Sequence, residues 1–414
     1  MKLQKYSIGT GDRFGFQGKA LLRAILKAEE IGINLAIVWN KSHREHLITK
    51  TTSSDVLNEA QQAVKDFNWK GNYYIDADHI GLSNVGLYID SCNFFTLDVA
   101  EFIGIRAFNN DIKAFIDKYK KYIGKISIPN IEESLIVSEE QLRNITREYI
   151  FAIKEAGKIY RKIKAKKGKN NFIIEISMDE SSTPQTPIEL LFILALIAEE
   201  KIPLQTFAPR FHGNFYKGID YIGNIQRFAK EFEILLAVIQ FAVKEFSIPN
   251  NLKLSIHSGS DKFSIYDAIN KAIKKFNTGV HLKTSGTTWL EELAGLVMVG
   301  DEGLKIVKEI YKKAYNKFDE LCIPYRTVIN IKKTKLPLPK LVNKWTGEEF
   351  VRNLRHDITC KDYNPNFRQL LHIGYKIAAE MGSRYTRVLK KNEEIIGSYV
   401  TENIYERHIV KLFR

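Results

Sequence analysis

The chain has only three cysteines among 414 residues, Cys92, Cys322 and Cys360, and they lie far apart. That scarcity excludes a disulfide scaffold, fits a reducing compartment and leaves no CxxC knuckle for a structural metal. Long hydrophobic runs are missing as well. A wholly apolar stretch such as Leu190 to Ala198 falls well short of the roughly 18–20 residues a membrane-spanning helix needs. Met1-Lys2-Leu3-Gln4-Lys5-Tyr6 is followed by no apolar region or small-residue cleavage site, so it does not read as a secretory signal and a cytoplasmic location is expected. Glycine-rich phosphate loops of the Rossmann or P-loop type are absent too, which disfavours an ordinary nucleotide-binding enzyme on an open doubly wound sheet. There is no internal repeat and no low-complexity segment.

With 44% hydrophobic and 27% charged residues, the composition is that of a globular chain. The 62 basic residues exceed the 48 acidic ones, a net charge of +14, which admits nucleic acid, an anionic substrate or a lysine-rich surface. The dense basic tracts, Lys118 to Lys125 and Lys158 to Lys169, read as solvated helix faces. No RNP, helix-turn-helix or zinc-finger pattern accompanies them, so neither nucleic acid nor a membrane is expected as partner.

Short apolar segments alternate with helical stretches. Strands are expected near Tyr6–Gly9, Leu35–Trp39, Tyr73–Asp76, Phe94–Asp98, Phe172–Ser177, Leu204–Phe207, Leu252–His257 and Val280–Lys283. Amphipathic or buried helices are expected over Gly18–Glu30, Ser54–Phe67, Thr186–Glu200, Gly223–Phe246 and Ser264–Phe276. Such βα units predict an α/β fold, a TIM (β/α)8 barrel. The pattern implies a catalytic domain over 1–286, interrupted by a lysine-rich helical insertion at about 108–170, with Ser138 as a helix cap and Pro129 as a break. A mainly helical extension over 287–414, broken at Pro324 and at Pro337 and Pro339, is expected to pack over the barrel mouth.

Chemistry in such a barrel gathers at the C-terminal strand ends, and those positions here are rich in ionisable groups. Alternation along the strands points Glu175 and Ser177, Ser255 and His257, and His281 and Lys283 into the barrel. Glu175, His257 and His281, completed by His79 or Asp76, form a candidate site for a divalent cation. Asp76 and Asp78 could equally cap a helix. Arg13, Arg210, Lys262 and Lys283 are candidate anchors for an anionic substrate. Ser258-Gly259-Ser260 before a helix could bind an anion as well.

Six stretches then carry a resemblance: 74–81 (YIDADHIG), 175–187 (EISMDESSTPQTP), 253–265 (KLSIHSGSDKFSI), 281–292 (HLKTSGTTWLEE), 368–376 (RQLLHIGYK) and 401–408 (TENIYERH). In these the sequence resembles the tagaturonate epimerases of bacterial hexuronate catabolism. The resemblance implies interconversion of D-tagaturonate and D-fructuronate, which differ at a carbon two bonds from the ketone. A hydrogen there is not acidified by the ketone, so the expected route is retro-aldol cleavage, rotation of the aldehyde and recombination, helped by a bound Zn, Mn, Ni or Co ion. Acid–base groups should flank the reacting alcohol. Ser177 is the first candidate, with Asp179 or Asp98 as substitutes, and Tyr375, then Tyr385 or Tyr405, stands opposite. Lys283 and Arg210 are candidates for the substrate carboxylate, with Tyr405 a further substrate contact. The expected partner is a small sugar acid, and a homo-oligomer is compatible with the sequence. A metal-dependent sugar-acid aldolase and a non-enzymatic polyanion-binding protein remain as alternatives at this point.

Overall fold

The computed structural model describes residues 1–414. Eight parallel strands close into a barrel in chain order, the eighth pairing with the first. They run Tyr6–Thr10, Ala36–Ser42, Tyr73–Ile80, Phe94–Asp98, Ile173–Ser177, Leu204–Ala208, Lys253–His257 and Val280–Lys283. The expected TIM barrel is present, and its strand faces follow the alternation. Ile174, Ile176, Leu254, Ile256, Val280 and Leu282 point outward into a large core shared with the surrounding helices. Burying apolar area at roughly 25 cal/mol per Å² makes that layer the main source of stability. Inside, Leu3, Ala36, Val38, Tyr74, Phe94 and Ile173 form a small apolar plug at the floor, and the interior turns polar toward the strands' C-terminal ends.

The segment after the fourth strand contains a short helix, Asn109–Tyr119, and a long one, Glu139–Lys167. Ser138 caps the long helix, accepting from the Gln141 N–H at 3.0 Å, as its sequence position suggests. Between the helices sits an antiparallel ribbon pairing Gly124–Ile126 with Leu135–Val137. Three-residue strands carry too little alternation to stand out in a sequence. The long helix packs against the following barrel helix, Pro187–Glu199, and so serves as a member of the helical ring. Its lysines face water, where Lys158 pairs with Glu155 and Lys166 with Asp90.

The C-terminal region does two things. Its helices build a second core around Gly286–Met298, the helix that follows the eighth strand. The last run, Glu393–Phe413, returns to the barrel flank and packs against the helices Gly18–Glu30 and Tyr266–Lys275. There Val400, Ile404, Ile409 and Leu412 join the main core, and the Thr401 hydroxyl donates to the Ala20 carbonyl at 2.9 Å. This run closes the ring of helices, a role beyond the mouth-covering one expected of the region. The mouth itself is overlaid by the stretches around Val328 and Pro365–Ile373. No helix is long and apolar enough to cross a membrane.

Candidate active site

The site begins with a defect in the third strand. Its register against the fourth strand slips between Ala77 and Ile80, and His79 takes a left-handed backbone with φ of 54°. In a regular strand Asp78 would face inward and His79 outward. The bulge breaks that alternation and brings both side chains to the barrel mouth, the re-aiming that bulges beside functional sites provide.

Across the mouth, His79 meets His257 from the end of the seventh strand, their ring centroids 5.3 Å apart. Asp179, just past the fifth strand, lies between them, with Oδ1 3.5 Å from His79 Nε2 and Oδ2 3.3 Å from His257 Nδ1. The partners on the other ring nitrogens assign the tautomers. His79 Nδ1–H donates to Asp78 at 2.9 Å and His257 Nε2–H donates to Glu175 at 2.8 Å. In its neutral form each imidazole would then turn a lone pair toward the Asp179 carboxylate, and His257 Nδ1 is a buried atom without a hydrogen-bond partner. Three facing lone-pair donors suit a divalent cation, and the carboxylates behind the imidazoles suit the outer support such ligands need. His79, Asp179 and His257 lie close enough together to share one ion. In the absence of an ion the rings answer by protonation: burial pushes His257 down, but Asp179 and Glu175 outweigh it and lift it to about 9. His79 is likewise raised, burial being outweighed by Asp78 and Asp179.

Below this cluster Lys283 acts as a hub. Its ammonium lies 2.8 Å from Asp76, 2.7 Å from Asp78 and 2.9 Å from Glu175, and it also donates to the Thr96 hydroxyl. Three buried carboxylates could not ionise together without it. Burial raises Asp76 to about 6 even so, against the pull of Lys283, whereas Lys283 and His257 overcome the burial of Glu175 and hold its carboxyl low. The hub thereby fixes the acceptors that set both histidine tautomers.

The structure sorts the residues expected from sequence. His257 and His79 come together with Asp179 as the third donor. Glu175 sits behind His257 instead of facing the shared space. His281 stands apart, two residues deeper along its strand than Lys283, whose register partner is His257. Its Nδ1 pairs with the Ser7 hydroxyl at 2.9 Å and its ring packs on Phe94, where burial lowers it to about 3. Strand parity could not separate it from His257, because both point inward and only depth differs. Ser177 donates to Asp179 and so orients it. Tyr375 lies outside the cluster, its hydroxyl 3.2 Å from that of Tyr325 and its ring stacked on Arg13.

The basic candidates divide in the same way. Arg13 pairs with Glu45 at 2.9 Å, and Lys262 is buried and donates to the Tyr216 and Ile219 carbonyls. The Ser258 hydroxyl donates to the Lys283 carbonyl at 2.7 Å. Tyr405 lies on the barrel flank beneath Lys27. Arg210 does line the mouth, with one guanidinium N–H 3.4 Å from the Asp179 carbonyl. Lys217 also lines it and was not foreseen, since it lies on the excursion after the sixth strand where no pattern marks it. Asp98 faces the clefts on the His79 side, and burial raises its carboxyl.

A closed parallel barrel with ionisable side chains converging at its C-terminal rim defines a TIM-barrel enzyme acting on a small polar molecule. A family model described as tagaturonate epimerase matches residues 1–412. A tagaturonate/fructuronate epimerase of Thermotoga maritima is 29% identical over 419 residues, covering 97% of this chain and 80% of the relative. A glycerol-bound crystal structure of fructuronate-tagaturonate epimerase from Cohnella laeviribosi matches with a TM-score of 0.81 at 25% identity, covering 100% of this chain and 82% of that one. A second glycerol complex of that enzyme gives 0.80 at 25% identity. The chain belongs to the tagaturonate epimerase family, and it is an isomerase, a carbohydrate epimerase. The polyanion-binding alternative is set aside with that assignment.

Proposed function

We propose that the chain interconverts D-tagaturonate and D-fructuronate, and that it does so with a divalent cation held by His79, Asp179 and His257. The observation that carries the metal reading is the convergence of two imidazole nitrogens on one carboxylate. A cation bound there would supply Lewis-acid polarisation of the substrate's ketone, which favours retro-aldol opening of the neighbouring carbon–carbon bond.

The protein's own groups do the rest. Glu175 and Asp78 hold the two rings by their N–H groups, and Lys283 keeps both carboxylates ionised. Ser177 fixes the rotamer of Asp179. Cleavage requires a base for the hydroxyl proton at the carbon to be inverted, and recombination requires its return. Asp98 suits that exchange: it lies beside the His79 edge of the mouth, and burial holds it above the usual carboxylate range. The stretches that overlie the mouth would keep the two fragments from leaving.

NMR of purified protein with D-fructuronate, after EDTA treatment and again with Mn²⁺, Zn²⁺, Ni²⁺ or Co²⁺ restored, tests the reading. The expected result is tagaturonate formed only after metal is restored. Full turnover by metal-free protein would overturn the cation, and released smaller carbonyl fragments would replace the epimerase with an aldolase.

A further inference from the structure

We propose that Lys217 is the residue that recognises the carboxylate of the sugar acid, a specificity-determining role that rests on the epimerase reading above. Lys217 lines both clefts that meet at His79 and Asp78. Most other cations near the mouth are engaged or lie to one side: Arg13 pairs with Glu45, Lys283 with three carboxylates and Lys262 with backbone carbonyls, while Arg210 lines one cleft with a single 3.4 Å contact to the Asp179 carbonyl and Arg44 lines the other with its guanidinium over the Tyr325 ring. Lys217 enters no ion pair and, unlike Arg44 and Arg210, lines both clefts, so its ammonium is the free positive charge placed at their junction. A substrate that differs from a neutral ketose by one carboxylate needs such a charge.

The backbone around it is held with unusual care for a loop. The Lys217 N–H donates to the Val328 carbonyl at 2.8 Å, and its own carbonyl accepts from Gln369 Nε2 at 2.9 Å. The Gly218 N–H donates to the Ser260 hydroxyl at 2.9 Å and the Gly218 carbonyl accepts from Arg368 at 2.6 Å. Gly218 has φ of 82°, and a side chain there would sit 3.3 Å from both Gln369 Cα and His372 Cβ. The turn therefore requires glycine. Most of these holders come from the C-terminal region, so that region aims Lys217 at the mouth as well as covering it. Preorganisation of this kind removes the ordering cost that a lysine on a free loop would impose on binding.

The test uses metal-loaded Lys217→Met and Lys217→Arg variants, with initial rates on D-fructuronate and calorimetric titration with D-gluconate, an open-chain sugar acid. Loss of a charge-assisted hydrogen bond should raise KM and weaken gluconate binding by about 10- to 100-fold in K217M. The expected kcat stays within about threefold of wild type, since the lysine does not touch the reacting carbon. K217R should recover most of the loss, and the thermal midpoint should not move. A K217M enzyme with unchanged KM and unchanged gluconate affinity would overturn the proposal, as would a fall in kcat alone. A wild-type protein that binds gluconate through Lys217 without turning over fructuronate would instead overturn the epimerase reading and leave the carboxylate site standing.

Discussion

Two buried ionic clusters in this molecule look alike and do different work. At the barrel mouth, Lys283 gathers Asp76, Asp78 and Glu175, with His79 and His257 above. About the next loop, Asp261 gathers Arg368 at 2.7 Å, His408 at 3.1 Å and the Thr287 hydroxyl at 3.1 Å, with His356 at 3.5 Å. In the second cluster the groups are turned on one another: His408 meets Asp261 with one ring nitrogen and the Tyr266 hydroxyl with the other, at 2.6 Å, Arg368 also donates to the Gly218 and Leu354 carbonyls, and His356 Nδ1, though without a hydrogen bond, is buried against Asp261. In the first, His79 and His257 each keep a nitrogen aimed at an open cleft. Density of buried charge marks neither as catalytic. What separates them is the space: the unpartnered nitrogen of His257 borders a cleft that a ligand can enter, whereas that of His356 is buried.

Substitutions can break that comparison. The largest effect should follow His257→Ala or Asp179→Asn, which remove a donor from the mouth cluster. Turnover should vanish, bound metal measured by atomic emission should fall, and calorimetry should still show a folded protein. Arg368→Met should do the reverse. Leaving Asp261 buried without its charge partner costs about 3–5 kcal/mol, read as a lower midpoint in chemical denaturation, while metal still binds. Glu175→Gln should come next, weakening metal affinity by roughly 10- to 100-fold through loss of the carboxylate behind His257. Retained full affinity in that variant would mean that the ring needs no such support.

A subtler effect concerns pH. In metal-free protein His257 is raised from 6.5 to about 9, so the folded state binds its proton more tightly than the unfolded chain does. That contribution is fully present below about 6.5 and is lost as the pH rises through about 9. Asp179 and Glu175, held low, are ionised across this window and add no slope. The His257 contribution, read as the difference in stability between EDTA-treated wild type and His257→Gln, should therefore decline between these values, while the buried Lys253 and Lys262, lowered by burial to about 7, act in the opposite direction in both proteins. Metal competes with the same proton, so added cation should stabilise more as pH rises. Scanning calorimetry of both forms checks it, and parallel curves would exclude the histidine from the metal site. Smallest of all, Lys166→Ala at the exposed pair with Asp90 should change stability by less than about 1 kcal/mol.

Much of the barrel could be read from the chain because its signals are local. Ile174, Glu175, Ile176 and Ser177 alternate in sequence as they alternate across the strand, and Ser138 sits where a helix must be capped. The family resemblance lay in long contiguous runs. The site was only partly legible. His257 and Glu175 were readable as inward residues, yet their depth was not, which is why His281 looked equivalent to His257. Asp179 lay beyond the strand end, where alternation gives no direction. Lys217 had no pattern at all, since its place depends on Gln369 and Arg368 some 150 residues away in the chain.

Period-two patterning and contiguous motifs need no distant partner, and so the strands, the faces they bury and the family to which the chain belongs follow from local sequence alone. Long-range packing is what turns His79 into the mouth through a left-handed bulge, stands Asp179 between two imidazole nitrogens and closes the helical ring with the last twenty or so residues. Each of these is settled by contacts between segments remote in sequence, where a hydrogen bond or a packed side chain fixes a direction that local pattern leaves free.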